Sequence, residues 1–129
     1  MKYDDATYHA DATHTPEQCA VFIALFLAWA AEQGLLGELH EEVKDELLER
    51  TVTPGEFFIT NSDCQLTNED FNAEGNAFAQ WYYERRYTSD LLRVFPSADL
   101  FAMEDSWSSV DKIKPTLDQR FTTWRNLSN

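Results

Sequence analysis

CAVFIALFLAWAA, residues 19–31, contains no charged side chain, no amide and no hydroxyl. A helix that is apolar on every side has to be enclosed by other elements, so this stretch predicts the central helix of a packed core. Thirteen residues rise only about 20 Å as a helix, short of the ~20 residues a bilayer requires. Glu17 and Glu32 close the run at both ends, which argues for buried core and against a membrane anchor. Just upstream, Thr15, Pro16 and Gln18 supply a capping hydroxyl, a first-turn proline and the third-position partner of a capping box. The helix therefore spans about residues 15–33, with Gly34 as its stop.

Working outward, residues 1–14 read as an irregular arm packed on the body. Residues 38–49 read as a second, amphipathic helix with Leu39, Val43 and Leu47 on one face. That segment carries six acidic residues against the single Lys44. Thr53, Pro54 and Glu56 repeat the cap pattern before Phe57, Phe58 and Ile59, which fit a short helix or a strand. Thr67 opens a further helix bearing Phe71, Phe78, Trp81 and Tyr82, interrupted at Gly75, and residues 87–95 add another that Pro96 ends. Trp107, Val110, Ile113, Leu117, Phe121 and Trp124 recur at three- and four-residue steps, a core stripe that Pro115 should kink or restart. No convincing alternating run appears. The fold class is all-α: a single-domain, irregular bundle of five to seven helices over residues 1–129, with α+β as the alternative.

The formal net charge is −13, and it is unevenly placed: residues 1–110 hold 21 acidic and 6 basic residues, residues 111–129 hold 2 and 4. A field of this sign repels nucleic acid and anionic membranes and steers basic surfaces inward. Charged residues before the apolar run, with no small-residue cleavage site after it, predict a cytoplasmic protein without a secretory signal. In that compartment Cys19 and Cys64, which could in principle pair, are expected as free thiols. Self-association stays open.

No motif announces catalysis. The chain lacks GxSxG, SxxK and the glycine-rich phosphate loops. His9 and His14 stand five apart, without the spacing of a helical zinc pair, and His40 sits beside Glu41 and Glu42; all three read as surface histidines, and neither metal nor cofactor is expected. Of the dense aromatics, helical spacing puts Phe78, Trp81 and Tyr82 in the core and leaves Tyr83, Arg85, Arg86 and Tyr87 toward solvent as a candidate contact patch.

KYDDA at residues 2–6 with His9, FLAW at 26–29, EGNAF at 74–78 followed by Tyr82 and Tyr83, EDSW at 104–107 and the closing Trp124 together span nearly the whole chain. In these features it resembles a family of short bacterial proteins without assigned catalytic activity, some of which accompany secreted or contact-delivered toxins. Where the resemblance implies a glycine-rich turn after Tyr8 and His9, this chain has Ala10, Asp11, Ala12 and Thr13.

Small size, one-sided acidity and missing catalytic motifs converge with that resemblance on a non-enzymatic immunity protein. Such a protein would occlude the active site of a cognate, basic toxin domain. The expected contacts are Glu38, Glu41, Glu42, Asp45 and Glu49, followed by Asp63, Glu69 and Asp70. The alternative from another class is a small ligand-binding domain or enzyme with a pocket near Glu74, Gly75 and Asn76 and the adjacent aromatics.

Overall fold

Thr15 closes the expected capping box with Gln18, and Pro16 begins helix α1 (Pro16–Glu32). Every residue from 19 to 31 is buried. This computed structural model describes residues 1–96 and 99–127. Around α1 pack α2 (Lys44–Leu48), α3 (Pro54–Ser62), α4 (Ala73–Tyr82), α5 (Thr88–Val94) and α6 (Trp107–Leu127). The architecture is all-α, with six α-helices among the described residues and short 3-10 turns between them. No helix among them is long and apolar enough to cross a membrane.

Rings of four other elements surround α1. Phe26 stacks on Phe78 and Tyr82 and meets Phe71, Tyr83 and Tyr87 edge-on. Trp29 is fully buried, and its indole N–H is satisfied at 2.9 Å by Asp118 of α6. From α6, Val110, Ile113, Leu117 and Phe121 face inward as their spacing predicts. Pro115 lies on the exposed side of α6. The helix continues through it instead of restarting, because the buried stripe on both sides holds it against α1.

Three sequence-based expectations change, and one that left two alternatives is decided. The arm is irregular only in its second half: β1 (Lys2–Asp5) pairs antiparallel with β2 (Gln65–Thr67), with an irregularity between Lys2 and Asp4, and a 3-10 turn follows at Ala6–Tyr8. No alternation marks so short a pair, and distant groups hold it in place. The Met1 ammonium donates to Asn68 Oδ1 at 2.9 Å and the Tyr3 hydroxyl to Asn76 Oδ1 at 2.6 Å. The segment at 57–59 is helical, as the Thr53–Glu56 capping box dictates. Thr67 caps only a 3-10 turn over Asn68–Asp70, and α4 starts later, from the Asn72 cap. Tyr83 and Tyr87 are buried, not solvent-facing. A π-helical stretch, Tyr83–Tyr87, rotates them inward between α4 and α5. Arg86 instead covers the half-buried Trp81 ring, 4.5 Å from its centroid.

The recurrent motifs prove to be joints of the fold. Asp5 caps the turn that buries Ala6. In EDSW, Asp105 accepts from the Gly55 amide at 2.8 Å and the Thr53 hydroxyl at 2.6 Å, tying the entry of α6 to the start of α3. Trp107 donates to the Val52 carbonyl at 2.9 Å. In EGNAF, Asn76 donates to the carbonyls of Asn68 and Phe71 and accepts from Tyr3.

Candidate functional site

Residues 38–49 do not form one amphipathic helix. They break into a 3-10 turn, Glu38–His40, a further turn, and the five-residue α2. The cause lies at residues 36 and 37, where the chain bridges Leu36 to Phe71 and the Gly37 amide donates to the Asp70 carbonyl at 3.0 Å. A Cβ on Gly37 would stand 2.7 Å from the Phe71 carbonyl oxygen and 2.8 Å from that of Glu69. Only glycine lets the backbones approach so closely. The turn that follows is thereby pinned against a second 3-10 turn, Asn68–Asp70.

Pinning reverses the expected roles of neighbouring residues. His40, expected on the surface, is fully buried, whereas Leu39, expected on the buried face, is 53% exposed. Leu48 is exposed as well, and only Leu47 of the predicted stripe is fully enclosed. Asp70, expected as a surface contact, is 1% exposed and serves the interior. Its carboxylate accepts from the Thr67 amide at 2.7 Å and from the Ser62 hydroxyl at 2.6 Å, and it lies 2.8 Å from His40 Nε2. A proton on Nε2 satisfies that contact, and leaves the buried Nδ1 with no hydrogen-bond partner. Ser62 and Asp70 both approach the same ring nitrogen, whereas in a hydrolytic triad nucleophile and carboxylate engage opposite ones. The cluster is a lock between the two turns. Thirty residues separate its histidine from its carboxylate, and no sequence signal joins them.

Outside the lock lies the acidic face. A groove of about 660 Å³ runs between the two turns, lined by Leu36, Glu38, Leu39, Glu41, Glu69 and Phe71 among others. A smaller hollow of about 230 Å³ borders it, lined by Asp63, Gln65 and Thr67, with Leu39 and Glu69 common to both. Glu38, Glu41, Asp63 and Glu69 are thus brought together from three separate segments. Glu42, Asp45 and Glu49 are exposed but line neither depression.

Six of the ten lysine and arginine side chains are ion-paired elsewhere, Lys2 and Arg93 among them. Arg50 pairs with Asp111 and Glu32, Arg120 with Asp90, Arg125 with Glu74, and Lys114 with Asp118. Among the described residues, Lys44 is the one cation ion-paired on this face, with Glu41 at 3.0 Å. Among the described residues, the carboxylates of Glu38, Glu42, Asp45, Glu49, Asp63 and Glu69 make no ion pair. Leu36, Leu39 and Phe71 were not legible as site residues, because their coming together to line one groove depends on the close approach at Gly37.

Residues 74–76, at the centre of the alternative reading, are engaged within the fold, and a hollow of about 350 Å³ lies one turn further along α4, lined by Tyr3, Ala79 and Gln80 among others. A Cβ on Gly75 would sit 2.6 Å from the Leu35 carbonyl, Asn76 is engaged within the fold, and Glu74 faces Arg125 at the surface. Gly75 therefore does not interrupt α4; it admits the chain packed across its first turn. Among the described residues, no three His, Cys, Asp or Glu side chains are grouped so that they could hold a metal ion. Cys19 is buried, Cys64 is half-buried, and both are free.

No curated protein and no solved structure matches the chain. Residues 2–103, which carry both 3-10 turns and the groove between them, match the model of a family described as a domain of unknown function (DUF7832), and the chain belongs to that family.

Proposed function

We propose that this chain is a non-enzymatic immunity protein that binds a basic toxin domain through its acidic face and thereby blocks the toxin's active site. The observation that carries this reading is the uncompensated charge of that face. Carboxylates from residues 38–49, 63 and 69 stand in solvent, only Glu41 among those described has an ion-pair partner there, and six of the ten lysine and arginine side chains are paired with carboxylates elsewhere. Maintaining such a face costs stability through self-repulsion, and a partner of opposite sign would turn that cost into binding energy and a fast association rate. A toxin that handles phosphate-bearing substrates needs a basic cleft, and clustered carboxylates can occupy it as substrate mimics. Leu39 and Leu48, both exposed on the same segment, add the apolar area that charge alone does not provide.

The test is capture from a lysate of the source organism with the purified chain as bait, followed by an inhibition assay on the captured protein. The expected result is a toxin domain with a basic surface, inhibited at equimolar ratio by the wild type. It should neither be captured nor inhibited by the folded triple variant Glu41→Lys, Glu42→Lys, Asp45→Lys. Equal inhibition by that variant, or a captured partner with no toxic activity, would reject the reading.

A further inference from the structure

The groove between the two 3-10 turns, at about 660 Å³, is larger than the hollow beside it, at about 230 Å³, and sets Leu36, Leu39 and Phe71 among its carboxylates. Burial orders that lining. Phe71, 4% exposed, forms the floor, Leu36 is half-buried above it, and Leu39, 53% exposed, stands as a wall against solvent. Glu38, Glu41 and Glu69 are exposed at the mouth. The walls do not drift, because the Gly37 amide and the buried His40–Asp70 contact fix one turn against the other. A preorganised groove of this kind binds without having to be ordered first.

We propose that this groove seats one aliphatic side chain of a partner segment in which lysine or arginine residues flank that side chain. Leu36, Leu39 and Phe71 grip the aliphatic group, and Glu38, Glu41 and Glu69 pair with the flanking cations. Charge complementarity selects this occupant over a second copy of the chain, which would bring another −13 of net charge to the same face. The inference rests on the acidic face being the partner surface, and it adds the chemistry of what enters.

Two short peptides, Lys-Lys-Leu-Lys-Lys and Lys-Lys-Gly-Lys-Lys, titrated into the isotopically labelled full chain and followed by amide chemical shifts, test the proposal. The leucine peptide is expected to move the amides of Leu36, Leu39 and Phe71 and to bind about tenfold more tightly than the glycine peptide, the gain from enclosing one leucine side chain. Leu39→Ser, at a position exposed enough to keep the fold, should abolish that advantage, bringing the two peptides to equal affinity. Equal affinity of the two peptides, or shifts confined to residues 42–49, would overturn the groove and leave the acidic-face reading standing. No shift with either peptide would overturn both.

Discussion

Asp70 and Glu69 are adjacent carboxylates with opposite fates; Asp70 stands three residues after Thr67, where its side chain closes a capping box on the Thr67 amide, but that spacing does not announce its burial against His40. Within a 3-10 turn, successive side chains leave the backbone about 120° apart, so one reaches the interior while its neighbour stays in water. The consequence for stability is large. Asp70→Ala removes the acceptor for His40, Ser62 and the Thr67 amide at once and should lower unfolding stability by about 3 kcal/mol. Glu38→Lys, at an exposed position, should change it by less than about 0.5 kcal/mol, with urea denaturation as the measurement for both. A second histidine carries a pH signature. The His14 ring lies between Asp99, 2.8 Å away, and Asp11, 3.1 Å away. The hydrogen bond to Asp99, then that to Asp11, raises its pKa above the ordinary 6.5. A folded-state pKa above the unfolded value means that the contribution is complete below the unfolded pKa and is lost as pH rises through the folded one. Raising the pH from about 5.5 to about 8 should therefore lower the urea midpoint of the wild type more than that of His14→Gln. The site is solvent-exposed, so the difference between the two curves will be small and greatest at low salt.

Elements with strong local signals form where the sequence places them. The capping boxes at Thr15 and Thr53 start α1 and α3, and the three- and four-residue stripe of α6 delivers its core face. Elements without local autonomy do not. Residues 38–49 have helical spacing and helix-forming residues, yet a helix there would have to forgo the backbone approach at Gly37 and the burial of His40 by Asp70. Tertiary contacts outweigh a propensity difference of a few tenths of a kcal/mol per residue. Gly37→Ala is the sharpest test at this scale. The added methyl group meets two carbonyl oxygens of the opposing segment, so the variant should lose about 2 kcal/mol in thermal unfolding and should shift the amide resonances of Glu69 and Phe71. Helix α6 makes a related point. It lies beyond the stretch matched by the family, yet its Asp118 satisfies Trp29 and its Arg120 makes two hydrogen bonds, each 3.0 Å, to the buried Asp90.

For the molecule as a whole, charge is the governing quantity. A net −13, with the carboxylates of residues 38–49 mostly unpaired, opposes compaction through self-repulsion, which salt screens over about 8 Å at physiological ionic strength. Raising sodium chloride from about 20 mM to about 200 mM should therefore increase the melting temperature in scanning calorimetry, and a fall would show that the paired cations dominate instead. The same addition should slow association with a basic partner. By itself the sequence determined the buried central helix, the all-α class, the capped starts of α1 and α3 and the anionic body, because each depends on residues close together in the chain or on simple sums over it. Only the tertiary structure decided that the arm would pair as a strand, that Tyr83 and Tyr87 would turn inward, that Asp70 would leave the acidic face for the interior, and that Leu39 would stand exposed beside a groove. Those outcomes depend on contacts between residues tens of positions apart, made where backbones meet closely enough to override local preference.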